Sequence, residues 1–351
     1  MSTSADAGST QVAVARTPRS IALGRLRHDR VGIAALIVAL FVLLACFVGA
    51  PVLSRVLGHG PNDPFPYAVD SSNRPVGPLT RVPAVSSAQT DDSGELTDPS
   101  GLPTTLLVLG ADGSLGRDLF LRILYGGIVS ITVGLLAVLI ALVIGVVAGS
   151  AAGMLGGTVD GMISRLTELA MSLPVLFLLV LVGSSAVGAR LQDVTLGVFN
   201  QGVLAVALII GLFTWFYPAR IVRVQIQVLR RREFVDAAIV SGAGRWRILR
   251  SHLAPHLVPP LAAWATTGVA IAILFEIGVS FLNAGVRLPT SSWGRLLTDT
   301  WGSPLSPSRF NPAYQSMWPT VFTSLAIFIT VVTIYELGEA LQRALVVEHG
   351  R

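Results

Sequence analysis

Six long runs of this chain are apolar and almost free of charge, and polar, arginine-bearing or proline-rich segments separate them. They extend approximately from Val31 to Leu53, Ile123 to Leu155, Leu169 to Val187, Val203 to Pro218, Leu257 to Asn283 and Met317 to Leu337. A helix needs about 20 apolar residues to cross the hydrocarbon core of a bilayer, so each run predicts a transmembrane helix. The second is long enough to tilt or to project beyond the membrane. The expected fold is therefore an all-α membrane protein of six transmembrane helices, with both termini on one side.

Composition sharpens the picture. The chain is 52% hydrophobic and 13% charged, with a mean hydropathy of +0.69 over 351 residues, which is too apolar for an average soluble domain. All its basic residues are arginine. The lack of lysine excludes a Walker A nucleotide site, a Schiff-base lysine and a lysine general base. Cys46 is the single cysteine, so no disulfide and no thiolate metal site is expected. A pI near 10.1 raises the question of nucleic acid, but the arginines sit at the ends of apolar runs, where membrane orientation explains them.

Arginine placement chooses the sides. Arg16, Arg19, Arg25, Arg27 and Arg30 precede the first run, and eight arginines lie between Arg220 and Arg250. Both segments belong in the cytoplasm by the positive-inside tendency, whereas Gly58 to Asp118, rich in Asp, suits an outer loop. The organisation expected is a cytoplasmic tail at 1–30, a first transmembrane helix at 31–57, an extracytoplasmic loop at 58–118, a core of five further transmembrane helices at 119–345 and a tail at 346–351. The first run is too long and too far in to be a cleaved signal peptide. Gly60 to Pro103 is rich in Pro, Ser, Gly and Asp and predicts irregular chain, and Ser303 to Tyr314 repeats that theme.

The segment between the fourth and fifth runs, 220–256, is water-compatible and patterned as helix, turn, helix. Phe234, Val235, Ala238 and Ile239 recur at helical intervals, and Ala237 and Ala238 leave a face flat enough for another protein to approach closely. Gly242-Ala243-Gly244 can take positive φ and end that helix, after which Trp246, Ile248 and Leu249 begin another. The spacing Asp236-Ala237-Ala238, then Gly242, then His252-Leu253-Ala254-Pro255 resembles the cytoplasmic EAA loop of ATP-binding-cassette importers, with Asp236 where Glu is usual. On that resemblance Phe234, Asp236, Ala237, Ala238, Ser241, Gly242, Ala243, Trp246, His252 and Pro255 form a coupling element that docks on an ATPase.

Further segments resemble the dipeptide/oligopeptide/nickel permease family, in its C-type branch. Leu109-Gly110-Ala111-Asp112, Gly116-Arg117-Asp118 and Leu124-Tyr125-Gly126 are similar to its entry to the second span. Gly156-Gly157, Val159-Asp160, Arg165, Glu168 and Pro174 resemble its approach to the third. Glu276, Ser280-Phe281-Leu282 and Pro289 to Gly294 look like its exit from the fifth. The resemblance implies a non-catalytic subunit that pairs with a second, homologous permease, in a bacterial plasma membrane with both termini cytoplasmic. Two ATPase subunits binding ATP and Mg would sit on its cytoplasmic side, and an extracytoplasmic substrate-binding lipoprotein would deliver the solute, most simply a di- or oligopeptide. No cofactor, metal or nucleic acid is implied for this chain; membrane lipid is.

Other residues invite roles of their own. Gly145, Gly149, Gly153, Gly157 and Gly161 recur every fourth residue and predict close helix packing. Glu276 lies inside an apolar run, about 28 Å along its helix, where hydration near the outer interface is cheap. With Ser280 and Phe281 it marks a candidate pathway rim or a structural anchor. Arg220, Arg223, Trp215, Tyr217 and Trp318 read as interfacial anchors, and Arg165 and Glu168 as a helix pair. An ion-gradient-driven secondary transporter is the alternative function, but it needs more buried ionisable groups than these runs offer. No HExxH, P-loop or Gly-x-Ser-x-Gly motif supports a membrane enzyme.

Overall fold

The computed structural model describes residues 29–70, 74–84, 103–113, 115–193, 202–301 and 317–345. The expected tails, apart from residues 29 and 30, and the Ser303 to Tyr314 insertion lie outside the described residues. In chain order the helices are α1 (Arg30–Leu57), α2 (Leu119–Leu155), α3 (Gly157–Ser172), α4 (Val175–Gly183), α5 (Ala186–Asp193), α6 (Val203–Leu212), α7 (Phe216–Leu229), α8 (Glu233–Val240), α9 (Arg245–Phe281), α10 (Trp293–Trp301) and α11 (Met317–Leu345). Strands β1 (Thr80–Pro83) and β2 (Thr104–Leu107) pair antiparallel, as do the short β3 (Ala111–Asp112) and β4 (Arg117–Asp118). The outer segment expected to be irregular is thus partly built, around Phe65, Ala68, Val82 and Leu107.

Helices α1, α2, α9 and α11 are each long and apolar enough to cross a membrane, and two bent pairs bring the number of candidate spans to at most six. The third run is not one straight helix: α3 and α4 meet at 85°. Proline disfavours α geometry in the residue before it, and Leu173, preceding Pro174, is extended (φ −92°, ψ 141°). The fourth run also bends, by 43° between α6 and α7. There Pro218 cannot donate to the Thr214 carbonyl, and the Thr214 hydroxyl folds back to donate to the Ile210 carbonyl (2.8 Å).

Two π turns, Ala45–Gly49 and Ile248–Leu253, each lie just before a proline, Pro51 and Pro255. A proline ring crowds the carbonyl four residues back, and the wider π turn opens room for it without ending the helix.

The helices define two ends. At the basic end, the side chain of Asp29 caps α1 by accepting from the N–H of Val31 and Gly32 (3.1 Å each), and it pairs with Arg343 of α11 at 2.9 Å. These partners, the Gly32 N–H first, hold its carboxyl below the usual range. The C-terminus of α2 and the whole of α8 share this end. The ribbons and the N-terminus of α2 form the opposite end.

Glycine decides the central packing. A Cβ on Gly145 would lie 2.6 Å from Pro218 Cγ, on Gly149 2.8 Å from Val222 Cβ and closer still to the Ala219 carbonyl, and on Gly153 2.8 Å from Ile226 Cβ. Helices α2 and α7 therefore touch backbone to backbone. The expected stripe stops there: α2 ends at Leu155, and a Cβ on Gly157 or Gly161 would meet nothing within 4 Å. Gly149→Leu is expected to lower thermal stability in detergent by several degrees and to cut folded yield, while Gly161→Leu leaves both unchanged. Equal melting curves for the two variants would refute this account of the stripe.

Candidate docking site

Helix α8 begins after Arg232, whose extended backbone (φ −91°, ψ 143°) ends the basic run Arg230 to Arg232, and carries Glu233 and Asp236 in its first turn, where the helix dipole favours them. It ends in a Schellman motif: Gly242, at φ +81°, donates its N–H to the Ile239 carbonyl (2.9 Å), and Ala243 donates to that of Ala238 (3.0 Å). The Ser241 hydroxyl donates to the Ala237 carbonyl at 2.8 Å.

Two faces of α8 have different jobs. Val235 and Ala238 are buried and join Val222, Ile226, Ile248, Leu253 and Leu257 in a small apolar cluster, to which Val146 and Met154 of α2 also pack. Phe234, Asp236, Ala237, Ile239, Val240, Ser241 and Gly242 face outward, with Val240 89% exposed, and beyond the turn Trp246 is 71% exposed. Ala238 is therefore a residue of attachment rather than of an outer contact face, which corrects the flat-face expectation for the Ala237-Ala238 pair. Ala243 and His252 are half-buried and Pro255 is exposed. The rings of Phe234 and His256 lie 5.6 Å apart, tying α8 to the start of α9.

Charged groups brace the same end. Arg230 donates to the carbonyls of Gly153 and Met154 at 2.9 and 3.1 Å, so a cation caps the C-terminus of α2 where the dipole favours it. Arg223, expected as an interfacial anchor, instead forms a bidentate pair with Asp160 of α3, which also accepts from Gln227 at 3.2 Å.

Glu276 departs from the sequence expectation. It is 0% exposed, so hydration does not reach it. Its carboxylate accepts from Ser130 of α2 (2.6 Å) and Ser280 (2.7 Å), Ser130 accepts from the N–H of Trp293 (3.2 Å), and the Trp293 ring N–H donates to the Ile123 carbonyl (2.9 Å). Ser280 is equally buried and Phe281 half-buried, so this group faces the interior of the chain as an anchor between α2, α9 and α10. Trp293, 1% exposed, is core.

At the ribbon end Arg122 is fully buried, with Nη1 2.6 Å from Asp112, Nη2 3.0 Å from Asp299 and Nε 3.1 Å from Ser291. Arg117 joins both carboxylates at 3.2 and 3.0 Å. Asp118 caps α2 through the N–H of Phe120 (2.8 Å), and burial pushes its carboxyl up. Sequence reasoning missed Ser130, Arg122, Arg230 and Asp299. Only the first-turn position of Arg122 in an apolar helix signalled a partnered charge. Glu276→Leu is expected to strand two buried hydroxyls at about 1–3 kcal/mol each and to lower the detergent melting temperature, while Glu276→Gln, which keeps an acceptor, loses much less. Indistinguishable melting of the two variants would sink the anchor role.

Comparison with known proteins adds an independent line. Residues 141–346 match a family model described as "Binding-protein-dependent transport system inner membrane component". The chain is 35% identical over 322 residues to the oligopeptide transport system permease protein OppC of Escherichia coli (strain K12), covering 92% of this chain and 88% of that relative. It is 35% identical over 236 residues to the protein of the same name from Haemophilus influenzae, covering 67% and 68%. A putative peptide permease protein of Brucella ovis is 34% identical over 236 residues, covering 67% and 71%.

Proposed function

The chain belongs to the family of binding-protein-dependent transport system inner membrane components, and from that premise we propose that it is the permease subunit of an ATP-driven importer of di- and oligopeptides. The observation that carries the reading is the two-faced α8. One face is bound into the cluster shared by α2, α7 and α9; the other presents Ile239 and Val240 to water at the basic end, beside the exposed Trp246 of α9. An exposed apolar patch of this kind rimmed by charge suits a protein partner.

In this reading the basic end is cytoplasmic, both termini lie there, and two ATPase subunits binding ATP and Mg receive α8 and its counterpart on a second, homologous permease. An extracytoplasmic binding protein presents the peptide at the ribbon end. The chain itself makes and breaks no bond. Its contribution is mechanical: the α8 cluster couples the lever to α2, α7 and the start of α9, so closure of the ATPases displaces these parts together. The names of the relatives support the peptide class.

The burial of Ala238 selects the variants. Ile239→Arg combined with Val240→Arg, both on the outer face, is expected to leave the chain folded and inserted. It should weaken co-purification of the ATPases by roughly tenfold, the effect of about 1.4 kcal/mol of lost contact, and abolish peptide uptake in proteoliposomes. Ala238→Arg places a charge inside the cluster and is expected to lower folded yield itself. Full uptake by the double outer-face variant would eliminate the docking role.

A further inference from the structure

Two cavities lie in the groove between α7 and α9. The larger, about 570 Å³, is walled near the basic end by Gln225 of α7, Pro259, Pro260 and Thr267 of α9, and Gln342 of α11. The smaller, about 160 Å³, sits nearer the ribbon end, between Tyr217, Phe275 and Val138 of α2. Trp264 belongs to both walls. From Pro260 through Trp264, Thr267 and Ile271 to Phe275 the lining follows one helix face, a run of about 22 Å along α9.

Among the described residues, none lining either cavity carries a charge. The outward face of α2, by contrast, is apolar, with Leu135, Leu139, Val143 and Val147 exposed along it. The groove differs: it places the Gln225 carboxamide and the Thr267 hydroxyl, with the Tyr217 phenol beyond, among aromatic rings. The Thr267 hydroxyl donates to the Ala263 carbonyl (3.3 Å), so the carboxamides of Gln225 and Gln342 and the Tyr217 phenol are the polar groups the groove offers to water or a polar solute. A carboxamide both donates and accepts, which matches the alternating N–H and C=O of a peptide backbone, and the rings offer contact indifferent to side-chain identity.

The groove also connects to the lever. Leu257 and Leu261 belong to the α8 cluster and flank Pro259 and Pro260. Neither proline has an N–H, so the carbonyls of Pro255 and His256 lack their helical donor and the ladder of α9 is weakest one turn before Trp264.

Resting on the peptide-importer reading, we propose that this groove is the chain's half of the solute path, that Gln225 and Gln342 engage an extended peptide backbone, and that Trp264 is the gate between the two chambers. Displacement of α8 bends α9 at the proline pair and swings the Trp264 ring, opening one chamber to the other.

The test uses the assembled importer in proteoliposomes, in a Cys46→Ala background, with single cysteines at Gln225, Trp264, Ile271 and, as a control outside the groove on an apolar face, Leu139. A charged, membrane-impermeant methanethiosulfonate is expected to modify the first three during ATP turnover and to spare Leu139. Trialanine at about ten times its Kd is expected to slow those reactions by roughly tenfold. As a second measurement, Trp264→Ala is expected to shift the uptake ratio of triphenylalanine to trialanine by roughly tenfold, with Trp264→Phe close to the parent. Groove cysteines as inert as Leu139, or reactive but indifferent to trialanine while the parent imports it, overturn the path and leave the importer reading standing. A parent complex that imports neither peptide overturns both.

Discussion

The contact on which the rest of this molecule depends is the backbone seat of α2 on α7. Gly145, Gly149 and Gly153 remove three side chains from the interface, so that the Ala219 carbonyl and the β-carbons of Val222 and Ile226 occupy the space. In a bilayer, burying apolar surface gives no net gain between helices, because the acyl chains are as apolar as leucine; close van der Waals contact over small residues supplies the attraction instead. With α7 fixed against α2, its end delivers Arg230 to the open carbonyls of α2 and starts α8 against the same two helices.

Polar groups at the two ends fix what the glycines leave free. At the ribbon end the Arg122, Asp112 and Asp299 cluster pins the first turn of α2 to α10, and the Glu276, Ser130 and Trp293 knot pins the same two helices to α9 one layer deeper. At the basic end Asp160 with Arg223 holds α3 to α7, and Asp29 with Arg343 holds α1 to α11. A buried charge or hydroxyl tolerates few arrangements, since an unmade bond in a dry environment carries the whole desolvation penalty. These knots therefore specify register, while the glycine seat supplies proximity.

Rigid bodies and weak points alternate along the chain, and that alternation suits a mechanical subunit. The α8 cluster follows α9 through its π turn and past its three prolines to Leu261, whereas α3 leaves α2 through Gly156 and Gly157, both at positive φ.

Much of this was legible in the sequence, for physical reasons. Four of the apolar runs coincide with long helices, because hydrocarbon thickness sets a length that composition must meet, although α9 begins at Arg245 rather than Leu257 and α11 continues to Leu345 rather than Leu337. The helix, turn, helix of 233–246 was readable because Gly242 occupies a position that needs positive φ. Tertiary structure decided the rest. Pro174 marked a break in the third run, but its 85° angle belongs to tertiary packing, with α3 held to α7 by Asp160 and Arg223 and α4 against α9. The spacing of Phe234, Val235, Ala238 and Ile239 marked a helix; which side of it faced inward was settled by where α2, α7 and α9 converge, and that placed Ala238 inside and Val240 out. Glu276 was visible as an acid in an apolar run, but its partners stand 146 residues away at Ser130 and four away at Ser280. Periodicity reports one helix at a time, and a contact between two helices is a property of neither sequence alone.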